Sequence, residues 1–184
     1  MKAILGLFCL VFANTVFAAW GNPEKRIETP LHVFEYNSLA RQFLDRPTKV
    51  TVQKVGVEQS IWIKYDSYDS TKTDNYAILS KKYVDDYLGY ITKYQEWNEK
   101  AKLAGDAFEK DIGKASSQMG FKLKFGFYSG NSKSHYLVIS PCVLLMCGKA
   151  GMYLDEASAA ELVKLLNQLK NDELIAEDVG TKYN

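Results

Sequence analysis

This chain is poor in the residues from which recognisable active sites are built. Its 184 residues include two histidines, three cysteines and four prolines. His32 and His135 are far apart in sequence, and neither has a second histidine at metal-ligand spacing, so no metal or other cofactor is expected. There is no phosphate-binding glycine loop, dinucleotide fingerprint or nucleophile elbow. The acids scattered over 66–75 do not keep the spacing of a calcium loop. Charge of one sign is also missing: 23 Lys and Arg against 22 Asp and Glu give a net charge of +1. That balance removes the electrostatic reason to bind nucleic acid. Internal repeats and low-complexity segments are absent too.

Long apolar runs are scarce, and the one near the start has a specific form. Lys2 precedes an apolar stretch over 3–13, which gives way to Asn14-Thr15 and then Val16-Phe17-Ala18. This reads as a secretory signal peptide, 1–18, removed after Ala18. Cys9 lies inside the run behind the bulky Phe8, which is not the setting of a lipid anchor. The next most apolar stretch, 137–146, is broken by Ser140-Pro141, so stable membrane insertion after cleavage is not expected. Losing Lys2 leaves a neutral mature chain, expected to be periplasmic or secreted. The expected organisation is an N-terminal linker over 19–30, one α+β domain over 31–172, and a polar C-terminal tail over 173–184.

Once Cys9 leaves with the signal peptide, Cys142 and Cys147 remain, and in an exported chain they are expected to bond to each other. Five extended residues would span about 16 Å, whereas bonded cysteines hold their Cα atoms within about 7 Å. The chain must therefore bend at Val143, Leu144, Leu145 and Met146. None of these is a usual turn residue. The apolar ring is expected either to fold back as a plug on the core or to stand out as a docking knuckle.

Pattern along the mature chain predicts an antiparallel sheet of about five to six strands packed against one long helix and a C-terminal helix. Residues 31–36 read as a short edge strand, and 38–45 as a helical turn stopped by Pro47. Two half-buried strands over 49–57 and 59–65 put Val50, Val52, Ile61, Ile63 and Tyr65 on one face, before a polar loop over 66–75. The long helix is expected to start with Ser80 as N-cap. Its stripe, Tyr83, Tyr87, Tyr90, Tyr94, Trp97, Ala101, Ala104 and Phe108, recurs at steps of four and three. Gly105 should bend or interrupt it. The stripe is expected to lie on the sheet as core, with a ligand-binding groove of tyrosine hydroxyls as the alternative. Strands follow over 121–128 and 135–140, joined by a hairpin loop over 129–134, then a short strand over 151–154. A last helix capped by Asp155 buries Ala159, Leu162, Val163, Leu166 and Leu169.

Ser129-Gly130 followed by Tyr136 resembles the Ser-Gly-x-x-Tyr loop of periplasmic lysozyme inhibitors, small exported β-rich proteins that present such a loop to an enzyme's cleft. Five residues separate Gly130 from Tyr136 here where that family has two, and the two helices depart from its β-sandwich. The expectation is an exported noncatalytic binding protein, in the manner of an inhibitor or immunity factor acting on an envelope enzyme. Its partner would be a protein or a cell-wall polymer. The alternatives are a structural or assembly component of the envelope, or a small exported hydrolase. Ser129, Gly130, Asn131, His135 and Tyr136 are the expected recognition residues, with Val143, Leu144, Leu145 and Met146 as the alternative apolar contact. A strand of that length sets the two about 20 Å apart, too far for one small partner.

Overall fold

A computed structural model of the chain describes residues 25–69, 75–131, 133–143, 146–147 and 151–178. The signal peptide over 1–18, the first part of the 19–30 linker, and Leu144 and Leu145 of the apolar ring lie outside the described residues. In chain order the elements are β1 (Lys25–Arg26), β2 (Val33–Asn37), β3 (Gln42–Arg46), β4 (Thr48–Val55), β5 (Glu58–Tyr65) and β6 (Tyr76–Ser80). After a 3-10 turn at Lys81–Tyr83 come α1 (Val84–Ala104), β7 (Phe108–Ser116), a second 3-10 turn at Gln118–Gly120, β8 (Lys122–Asn131) and β9 (Ser134–Val143). The chain continues through β10 (Met146–Cys147), β11 (Met152–Leu154), α2 (Glu156–Lys170) and β12 (Glu177–Asp178). The fold is α+β, with one long helix and a C-terminal helix. Neither helix is long and apolar enough to cross a membrane.

The strands divide between two antiparallel sheets. The smaller has the order β12-β1-β4-β5-β6; the larger runs β3-β2-β11-β9-β8-β7, with β10 also paired to β9. Alternation in β8 sends Leu123, Phe125 and Phe127 to the helices, where the α1 stripe meets them. Tyr87 stacks on Phe125 at 5.8 Å, and Tyr94 and Trp97 sit 5.8 and 6.2 Å from Phe127. Val50, Val52, Ile61, Ile63, Ala77 and Leu79 bring the inner face of the small sheet into the same core. α2 adds Ala159, Leu162, Leu165, Leu166 and Leu169, and Asp155 caps it by accepting the Ser158 N–H at 2.8 Å.

Five local expectations are corrected by the structure. Residues 38–45 are not helical: the Asn37 side chain captures two backbone N–H groups, a turn forms, and β3 follows, pairing Phe43 with Tyr36. β2 is consequently an interior strand of the large sheet, between β3 and β11. Ser80 holds the N-cap position of the 3-10 turn that leads into α1, as expected, but its side chain caps no backbone N–H. It ends β6 in extended conformation, fully buried, with its hydroxyl bonded to Glu58. Phe108 is not helical either, because Gly105 closes α1 in the left-handed region at φ 71° and returns its N–H to Ala101. The stripe's last ring instead opens β7 and still reaches Phe127 at 5.2 Å. Finally, the hairpin loop expected over 129–134 contracts, since strand pairing continues to the Asn131–Ser134 pair beyond a bulge.

Segments read as linker and tail also take part in the small sheet. β1 pairs with β4 on one side and β12 on the other, with Lys25 opposite Asp178. Cys142 and Cys147 are bonded across the β9–β10 pair.

Candidate functional site

A sheet face turned away from the helices would ordinarily be polar in a self-sufficient domain. Here the large sheet carries Phe34 and Tyr36 from β2, Phe43 from β3, Tyr128 from β8, Tyr136 from β9 and Tyr153 from β11, all on that outer face. Phe43 touches nearly all of them. Its ring centroid is 4.5 Å from Tyr136, 4.7 Å from Tyr153, 5.2 Å from Tyr128 and 5.4 Å from Tyr36. Four strand steps separate β3 from β8, about 19 Å across a flat sheet. The sheet therefore curls until the β2–β3 hairpin lies over its own outer face, and the rings fill the concavity.

This curl draws the two hairpins together through their rings, although β2 ends at its tip and β9, which runs the same way, begins at the other, so the tips leave the sheet in opposite strand directions. Tyr128 and Tyr136 are a cross-strand pair close to the β8–β9 tip, while Tyr36 and Phe43 are the corresponding pair at the β2–β3 tip. Each tip is tied by an asparagine. Asn37 Oδ1 accepts the N–H groups of Leu39 and Ala40 at 3.0 and 2.9 Å, and Asn131 Oδ1 accepts that of Lys133 at 2.8 Å. Arg41 completes the first tip at φ 53°, and Gly130 leaves room at the second: a Cβ there would lie 3.1 Å from the Tyr128 hydroxyl oxygen. Leu39 crowns the β2–β3 tip at 95 % exposure, with Tyr36 half exposed beside it.

The expected recognition residues divide between two faces. Gly130, Asn131 and Tyr136 belong to the tip and the aromatic cluster. Ser129 and His135 point into the core. Ser129 is buried and donates its hydroxyl to the Asp106 carbonyl; His135 is 6 % exposed and stacks on Phe127 at 6.0 Å. Neither His135 ring nitrogen has a hydrogen-bond partner among the described residues, nor do Tyr94 Oη and Asn98 Oδ1. Of the alternative ring, Met146 is 77 % exposed and pairs in register with Val143.

The concave face continues past Tyr153 into a cleft of about 260 Å³ lined by Glu109, Asp111, Lys124, Ser140 and Cys147. Lys124 holds Asp111 at 3.3 Å, and Glu109 is a second acid on this rim. Burial raises the pKa values of Tyr136 and Tyr153, and nearby acids (Asp155 for Tyr136, Glu109 for Tyr153) add to the effect. Both phenols therefore stay neutral, able to donate and accept hydrogen bonds. Among the described residues no three His, Cys, Asp or Glu side chains gather as a metal-binding group.

Sequence reasoning found the β8–β9 tip but missed Tyr36, Leu39 and Phe43. The available signal was Asn37 ahead of Ser38, Leu39, Ala40 and Arg41, an Asx-turn pattern between Tyr36 and Phe43. Comparison of the chain with known protein families, curated proteins and solved structures finds no match.

Proposed function

We propose that this chain is an exported noncatalytic binding protein that meets a protein partner through the β2–β3 hairpin tip and the aromatic collar it shares with the β8–β9 hairpin, acting on an envelope enzyme as an inhibitor or immunity-type factor. One observation carries the reading: Leu39 stands 95 % exposed on an asparagine-tied turn whose hairpin packs Phe43 into a collar of aromatic rings shared with the β8–β9 hairpin. Ordering a flexible loop on binding costs about 1–2 kcal/mol per residue of backbone. Tips already held in shape avoid much of that cost, as does a tyrosine collar whose rings brace one another. The apolar leader over 1–18 and the Cys142–Cys147 bond support an oxidising, exported setting.

The test is capture from a soluble envelope extract by the mature protein and by its Leu39→Ser variant, followed by activity assays on what is captured. A discrete enzyme that binds the parent, loses activity on binding and ignores the variant is the expected result. Equal capture by both proteins would defeat the assignment to the β2–β3 tip, and capture of a multi-component envelope assembly would favour a structural role.

A further inference from the structure

We infer that the cleft beside Tyr153 receives a basic side chain, an arginine or a lysine, presented by the protein partner. The source of that side chain rests on the functional reading above, whereas the cleft rests on observations of its own. Its hollow follows from strand register. Asp111, Gly126, Val138 and Tyr153 form one cross-strand row over β7, β8, β9 and β11, so two small residues lie between a carboxylate and a phenol ring. At about 260 Å³ the cleft falls just under the range of about 300–1,000 Å³ usual for small-molecule sites, and suits one inserted side chain. Gly126 has no local need to be glycine. Its φ lies outside the left-handed region, and a Cβ there would make ordinary contacts, 3.5 Å from the Lys110 carbonyl oxygen and 3.7 Å from Val138 Cβ. Glycine weakens a strand interior, and where neither dihedral nor crowding requires it, it marks close approach by another group.

The chemistry of the guest follows from the lining. Two carboxylates, Glu109 and Asp111, meet one ammonium, Lys124, which Asp111 already holds. Glu109 forms no ion pair among the described residues. Lys110 turns to the opposite face, its Nζ 5.1 Å from the Trp97 ring. Lys114 stands across from Lys124, four residues and about 14 Å along β8 from Tyr128, the partner of Glu109. The cleft is therefore one cation short. Ser140 adds a second acceptor: it is 3 % exposed, it lies on the outer side of β9 because Leu137 and Ile139 face the core, and its hydroxyl has no hydrogen-bond partner among the described residues. Gly151 leaves room for that hydroxyl, since a Cβ there would lie 2.7 Å from Ser140 Oγ. An ammonium or guanidinium group donates in several directions and accepts in none, which matches a cleft of acceptors. Its alkyl stem would lie on the Gly126–Val138 floor with the Tyr153 ring alongside, as basic side chains do on apolar surface. Charges on the edge strand β7 also discourage unwanted strand pairing, but that role accounts neither for the glycine floor nor for the unpartnered Ser140 hydroxyl.

The probe is the tripeptide acetyl-Gly-Arg-Gly-amide, titrated into the mature protein by NMR beside the same peptide carrying citrulline, the neutral isostere of arginine. The arginine peptide should bind with a Kd of about 1–10 mM and shift the amides of Gly126 and Ser140, and the citrulline peptide should bind about tenfold more weakly. Glu109→Gln should lower arginine binding to the citrulline level, and Gly126→Val should abolish it by filling the floor, with melting temperature reporting the fold of each. Glu109 is exposed, so its variant carries the test if the valine does not fold. Leu39→Ser should leave the titration unchanged, and Glu109→Gln should capture less of the partner enzyme than the parent does. Equal binding of the two peptides, an undiminished titration in Glu109→Gln, or equal capture by Glu109→Gln and the parent would each overturn this inference and leave the functional reading intact. A parent protein that binds the arginine peptide yet captures no enzyme would defeat the functional reading and uphold the cleft.

Discussion

At the scale of single residues, the α1 tyrosines carry the sharpest stability predictions. Tyr87 is completely buried; its hydroxyl donates to the Ser116 carbonyl at 2.6 Å and accepts the Ser80 N–H at 3.3 Å. Tyr87→Ala should lower stability by about 3–5 kcal/mol through the cavity it leaves. Tyr87→Phe should cost about 1–3 kcal/mol, because it strands two buried backbone groups while keeping the ring. Chemical denaturation midpoints measure both. Burial also raises the Tyr87 and Tyr94 phenols well above their ordinary value of 10.0. The folded state then keeps protons that the unfolded chain releases. Their stabilising contribution is complete below pH 10 and is lost as pH climbs past it. Denaturation midpoints followed upward from about pH 9 should fall, and fall less steeply in Tyr87→Phe.

Among elements, the Cys142–Cys147 bond ties β10 to β9 within one antiparallel pair, closing a very short loop. Reduction should therefore cost no more than about 2 kcal/mol and leave the fold standing. Intact mass before and after reduction under alkylation, with a thermal melt of each form, checks this; two thiols alkylated without reductant would contradict the bond. The ring was legible because chain geometry allows little else. β4, β5 and β8 were legible for a similar reason: alternation such as Leu123, Phe125 and Phe127 against Lys122 and Lys124 has one physical reading. β7 was not. Its run of Glu109, Lys110 and Asp111 faces solvent, and buried Ile112 sits at a bulge where the register shifts, which destroys the period. β6 was hidden differently, since Ala77, Ile78, Leu79 and Ser80 are all buried and show no alternation at all.

The whole molecule gathers its two sheets and two helices around one core. Tyr136 and Gly130 could be singled out from sequence, but the packing of Phe43 on Tyr136 could not. The curl that lays β3 over β8 is a property of the assembled sheet and of no local segment. Because Leu39 is 95 % exposed, Leu39→Ser should change stability by less than about 0.5 kcal/mol while removing partner capture. Loss of both together would mark Leu39 as structural. The pairing of Lys25 with Asp178 has its own consequence. The first and last described strands run side by side, so the fold is topologically close to a ring. A few residues could splice position 178 to position 25, and the chain could be reopened at the β4–β5 turn, where Val57 is 98 % exposed. Such a circular permutant would keep every sheet neighbour while changing the order in which the two sheets are synthesised.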